Sequence, residues 1–204
     1  MRSSLLSAVA VLFAQQAAGH AIFQQLWVNG SSCARVPTSN SPVTDVGSSA
    51  FRCNGRPGVP GKCAVAAGQT VTVEMHQQPG DRSCANEAIG GAHYGPVIVY
   101  LSKVTDATTA DGSTGWFKIF QDGWAPTSSA KVGDDDLWGT KDLNKCCGRM
   151  NVLIPADIPA GDYLLRAEFN SPSQAAAPPL QLSSNSQAHT KPPIPELRST
   201  STPR

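Results

Sequence analysis

The chain has 204 residues, with 16 Lys and Arg against 15 Asp and Glu and a formal net charge of +1. With no block of basic residues, that balance gives no electrostatic support to a nucleic-acid partner. Beyond the first nineteen residues no apolar run is long enough to span a bilayer, so no membrane partner is expected either.

Residues 1–19 carry Arg2, an apolar run over 5–13 and the small residues Ala17, Ala18 and Gly19, the pattern of a secretory signal peptide. Its removal leaves about 185 residues, enough for one sizeable core. It also makes His20 the first residue of a secreted, extracellular protein. An N-terminal histidine offers a primary amine, with a pKa of about 8, and an imidazole nitrogen from one residue, so it can chelate a metal alone. A peptide bond in front of it would turn the amine into a poor donor. The six cysteines, Cys33, Cys53, Cys63, Cys84, Cys146 and Cys147, follow that signal, which favours disulfides over structural zinc without fixing their connectivity. Asn29-Gly30-Ser31 is a glycosylation sequon.

The mature chain reads as short strands between long loops. A β-rich run over 21–28 precedes an excursion over 30–61 rich in Ser, Pro and Gly. Residues 69–76 alternate, with Val71, Val73 and Met75 facing a core and Thr72, Glu74 and His76 facing outward as surface residues. Segments 96–102, 116–121, 150–154 and 163–169 are further strands. Strands without long amphipathic helices predict an all-β antiparallel sandwich whose long loops place the site.

His93 stands in Gly90-Gly91-Ala92-His93-Tyr94-Gly95-Pro96, directly before a buried strand, where flanking glycines and a Gly-Pro would fix it at the rim of a sheet. His20 and His93 together offer two imidazoles and one amine. A near-planar set of three nitrogens favours one copper ion over harder cations. Among the other polar groups, Asp134, Asp135 and Asp136 read as a solvated acidic loop rather than a calcium site, and Asp81 and Glu87 do not form a recognisable glycosidase pair. Tyr94 and Trp27 are candidates for a carbohydrate-stacking surface, with burial an equal reading for Trp27.

The run His-Ala-Ile-Phe-Gln-Gln-Leu-Trp-Val-Asn-Gly from His20, Ser-Asn-Ser-Pro-Val from Ser39, Cys53-Asn54, His93-x-Gly-Pro, Trp116-Phe-Lys-Ile-Phe-Gln and Gly161-Asp-Tyr-Leu-Leu-Arg-Ala-Glu resembles the fungal lytic polysaccharide monooxygenases of auxiliary activity family nine. The resemblance implies an immunoglobulin-like sandwich and a monomer holding one copper in a histidine brace made by His20 and His93. It further implies oxidative cleavage of cellulose or related β-1,4-glucans with an external electron donor and dioxygen or hydrogen peroxide.

Beyond Glu168 the resemblance read from these motifs ends. The family continues there with a segment supplying a His, an oxygen-binding Gln, the axial Tyr of the copper and a cysteine that partners the one matched by Cys53. This chain instead reads Asn-Ser-Pro-Ser-Gln-Ala-Ala-Ala-Pro-Pro-Leu from Asn170. The sandwich is therefore expected to be incomplete at its C-terminal end, with 170–204, His189 included, a disordered tail in which Gln174, Gln181 and Gln187 are not reliably placed. A shifted reading frame over 190–202 can encode Lys-Ala-Thr-Asp-Pro-Gly and Asn-Ile-Tyr, as the family does, which points to a frame slip. Three functions compete: a copper monooxygenase impaired in this form, a catalytically inactive copper- or polysaccharide-binding protein, and a secreted sandwich that uses no metal.

Overall fold

The structure, a computed structural model, describes residues 20–37, 39–54, 58–129 and 133–170, together with the backbone of Ser183–His189. The expected signal segment 1–19, and Gln174 and Gln181, lie outside the described residues.

Strands form at every segment whose pattern predicts one. Ile22–Val28 (β1), Ser31–Ser32 (β2) and Ala34–Arg35 (β3) precede a short helix, Ala50–Cys53 (α1). Then come Cys63–Ala66 (β4), Thr70–His76 (β5), Val97–Val104 (β6) and Phe117–Asp122 (β7). Trp124–Ala125 (β8), Leu137–Trp138 (β9), the helix Gly139–Lys145 (α2), Arg149–Leu153 (β10), Gly161–Phe169 (β11) and Ser183–His189 (β12) follow. One sheet has the order β10-β5-β1-β2; the second runs β3-β12-β11-β6-β7, with β4 also on β12, and β8 and β9 make a separate hairpin.

Alternation places the core between the two sheets. Phe23, Leu26, Val71, Val73, Met75 and Val152 of the first sheet pack with Val97, Val99, Leu101, Tyr163, Leu165 and Ala167 of the second. Phe23 and Leu26 would face opposite sides of an unbroken strand. They share the core because Phe23 pairs with Met75 and Gln25 with Glu74, leaving Gln24 as an extra residue in a β-bulge that resets the phase of β1. At the far end of β1, Asn29 and Gly30 take φ of 50° and 80°, the two positive values that a two-residue hairpin turn into β2 requires. The outer face of β11 is covered too, where Leu164 packs with Cys53, Ala107 and Trp116, and Arg166 lies over the rings of Tyr100 and Trp116.

Within the stretch read as a disordered tail, Ser183–His189 form β12, and 171–182 and 190–204 lie outside the described residues. These polar residues lack apolar alternation, yet their backbone pairs antiparallel with residues 161–164 of β11 and parallel with β4, so that His189 ends β12 opposite Ala66. A ladder on both sides satisfies the main-chain donors and acceptors without any side-chain pattern, which is why the sequence conceals this strand. One edge of β11 is thus occupied over 161–164. Two disulfides, Cys33–Cys63 and Cys84–Cys147, close loops, and neither includes Cys53 or Cys146.

Candidate metal centre

His20 is half-buried two residues before β1. β5 ends at His76, opposite Ile22. From there the chain enters the loop 77–96, which carries His93 and delivers Pro96 to the start of β6. His20 thus stands on the entry to the first sheet and His93 on the entry to the second.

The His93 ring is 6% exposed, and its Nδ1 lies 2.7 Å from the carbonyl oxygen of Gly90. A carbonyl only accepts, so Nδ1 carries the proton, and of the two neutral tautomers the contact selects the one whose lone pair is on Nε2. That is the tautomer a metal ligand needs, with the far nitrogen held by a backbone acceptor.

The loop behind His93 is tied down along its length. Asn144 of α2 grips Ile89 as a strand would, its Oδ1 accepting the Ile89 amide and its Nδ2 donating to the Ile89 carbonyl, both at 3.0 Å. Thr140 donates its amide to Gly95 O and accepts the Gly95 amide on Oγ1, each at 3.1 Å. Gln77 Nε2 donates to Glu87 O at 2.8 Å, and Cys84–Cys147 joins the middle of the loop to the end of α2. Gln24, 2% exposed, donates through Nε2 to the carbonyls of Asp81 and Gln78 and accepts the Gly80 amide on Oε1.

Glu74 and His76, expected on the surface, are 0% and 2% exposed. Trp27 Nε1 donates to Glu74 Oε2 at 2.6 Å, Arg82 Nε to Oε1 at 2.7 Å, and Arg149 Nε to Oε2 at 3.0 Å, while His76 Nε2 lies 2.9 Å from Oε1. Burial pushes this carboxyl up, but hydrogen bonds from His76, Trp27, Arg82 and Arg149 outweigh it and hold the group down at about 2. The outward face of β5 is thus roofed by a charged cluster in which Arg82, from the loop of His93, caps both Glu74 and the Trp27 ring, 4.8 Å from its centroid. Trp27 is an anchor for that loop as well as a surface aromatic.

The acidic run is corrected at Asp136, which is 7% exposed and accepts Trp124 Nε1 and the Thr127 amide. Tyr94 lies under Lys141, with Nζ 4.7 Å from its centroid. Of the chain's three tyrosines, Tyr163 donates its hydroxyl to Pro159 O from the core, and Tyr100 packs against Arg166. The residues from Asn170 to Arg204 contain no tyrosine and no cysteine.

The predicted donors are the His20 imidazole, His93 Nε2 and, once residues 1–19 are removed, the His20 amine, a nitrogen set suited to copper. The loop clamps escaped sequence reading because Gln24, Asn144 and Thr140 form no motif. A glutamine interrupting the alternation of residues 21–28 was the one available signal for the first of them.

The family model Auxiliary Activity family 9 (formerly GH61) matches residues 20–181, thirteen positions past Glu168. The chain is 68% identical over 173 residues to AA9 family lytic polysaccharide monooxygenase B of Thermothelomyces thermophilus, covering 82% of this chain and 53% of that protein. It is 66% identical over 183 residues to AA9 family lytic polysaccharide monooxygenase E of Neurospora crassa, covering 87% and 56%. The chain thus spans about half the length of these curated relatives. Its fold is similar to that of CvAA9A, with a TM-score of 0.67 at 24% identity over 85% of this chain and 80% of that one. A cellulose-active polysaccharide monooxygenase from M. thermophila gives 0.67 at 21% identity, over 84% and 79%.

Proposed function

The chain belongs to auxiliary activity family 9, and from that membership we propose that it is a secreted, copper-dependent lytic polysaccharide monooxygenase that oxidatively cleaves cellulose or related β-1,4-glucans. One copper ion is held by the amine and imidazole of His20 and by His93 Nε2. The observation that carries this reading is the 2.7 Å contact between His93 Nδ1 and Gly90 O, which selects the neutral tautomer whose lone pair is on Nε2. Copper, when bound, supplies the one-electron chemistry by which an external electron donor and dioxygen or hydrogen peroxide oxidise a C–H bond of the glucan.

The chain's own residues orient the donors. Gly90 O keeps the proton on Nδ1, and Asn144 and Thr140 fix the backbone on either side of His93. Arg82 on Glu74 of β5, and Gln24 of β1 on the 78–81 turn, hold the loop against the first sheet.

Turnover in this form is weak. The stretch after Glu168 contains no tyrosine to match the one that the family resemblance implies there, while Tyr94 lies under Lys141 and Tyr100 and Tyr163 are engaged elsewhere. The His and oxygen-binding Gln of the same family segment have no matching motif in this chain either, and loss of a single partner beyond the metal's own ligands typically lowers affinity or activity about 10- to 100-fold. A protein that binds copper and glucan without turnover is the second reading, favoured by the same observation. Incubation with amorphous cellulose, copper and ascorbate tests the proposal: oxidised oligosaccharides above the level given by free copper support a monooxygenase, and none at full copper loading leaves the second reading.

A further inference from the structure

The exposed hairpin of β8 and β9 carries an aromatic pair that the copper chemistry does not use. Trp124 is 55% exposed and Leu137 48%, and the rings of Trp124 and Trp138 lie 6.3 Å apart, tilted by 49°. Both indole N–H groups are spent inside the hairpin. Trp124 Nε1 donates to Asp136 Oδ2 at 2.9 Å and Trp138 Nε1 to Gly133 O at 2.8 Å. The surface they present is therefore apolar ring rather than a mixed edge.

The platform is rigid at its root. Gly139 donates to Gly123 O at 2.9 Å, and a Cβ on Gly139 would stand 2.2 Å from Asp122 O, so glycine permits the closure. Lys141 donates to the carbonyls of Asp134 and Asp136 and lies over Tyr94, while Thr140 pairs with Gly95. These contacts tie the hairpin's root to the segment that carries Tyr94, beside His93, and β7 runs into it from Asp122, opposite Val97.

A groove of about 170 Å³ is lined by Trp124, Trp138, Leu137, Asp122 and Asp142. Burial, followed by the neighbouring Asp142, pushes the Asp122 carboxyl up from its ordinary value. Asp142 Oδ1 already accepts Lys145 Nζ at 2.9 Å, and an apolar protein segment laid there would desolvate this ion pair and the Asp122 carboxyl without adding a hydrogen bond. A pyranose ring suits the groove: its C–H face stacks on indole while its equatorial hydroxyls donate to the carboxylates.

We propose that Trp124 and Trp138 form a saccharide-stacking site for a β-1,4-linked glucan chain, with Asp122 and Asp142 accepting its hydroxyls. This rests on the glucan-acting reading above, and binding can be measured apart from copper. The full chain, chelator-treated and copper-loaded in parallel, is titrated with cellohexaose and with amorphous cellulose. Trp124→Ala and Trp138→Ala should each weaken binding roughly tenfold in both states, leaving copper affinity unchanged, and Trp124→Phe should retain most of it. If Trp138→Ala unfolds, Trp124→Ala carries the test because its ring is more than half exposed. Unchanged glucan affinity in folded Trp124→Ala overturns the proposal, as does loss of self-association in that variant with glucan binding intact. Copper failing to bind while glucan binding still falls in the variants would instead overturn the copper reading and leave this site standing.

Discussion

Gln24 Oε1 accepts the Gly80 amide at 2.7 Å, joining the strand that His20 leads into to the loop that carries His93. The bulge at Gln24 and the two carbonyls on its Nε2 make the contact a three-point clamp. Gln24→Leu would leave these part-buried backbone groups without their partner, at a cost of about 1 kcal/mol. Chemical denaturation should register that loss, and hydrogen exchange should speed up at Gly80 well before the core strands respond.

The Glu74 cluster sets an acid limit on stability. Because its folded pKa lies near 2, below the ordinary carboxyl value of 4.5, its contribution is complete above about pH 4.5 and is lost as pH falls through 2. Urea unfolding of the native protein should weaken across that window. Glu74→Gln should be less stable at pH 7, where Arg82 and Arg149 lose their charged partner, and should show a shallower acid slope.

Cys84–Cys147 closes a loop with a sequence separation of 63 and holds the middle of the His93 segment. Loop-closure entropy alone gives about 4 kcal/mol for such a link. Cys84→Ser should unfold far more easily and be cleaved first within 77–96 by a trace of protease. Cys146→Ser, at an exposed position outside both disulfides, should behave as the parent.

A chimaera carrying a family segment after Glu168 should oxidise cellulose at least tenfold faster than the present chain while binding copper equally well. Equal rates at matched copper loading would show that the residues missing from the tail do not limit turnover.

Much of the architecture was legible because burial imposes period-two alternation, as in Val71, Val73 and Met75, and the His-x-Gly-Pro pattern marked His93 at a strand entrance. The illegible parts were those held by backbone or by long-range polar contacts. β12 pairs through its main chain, and its side-chain pattern carries no trace of it. Glu74 reads as a surface residue until Arg82 and Arg149 converge from separate segments to roof it. Asp136 reads as solvated until Trp124 and Thr127 turn back onto it.

The most direct measurement of the central claim is a copper titration with electron paramagnetic resonance on protein beginning at His20, set beside His20→Ala, His93→Ala and a form with one residue added before His20. The account predicts one Cu(II) per chain with nitrogen coupling from the amine and both imidazoles. Each substitution, and the added residue, should weaken binding and remove nitrogen coupling. Unchanged affinity and an unchanged spectrum in both histidine variants would contradict it.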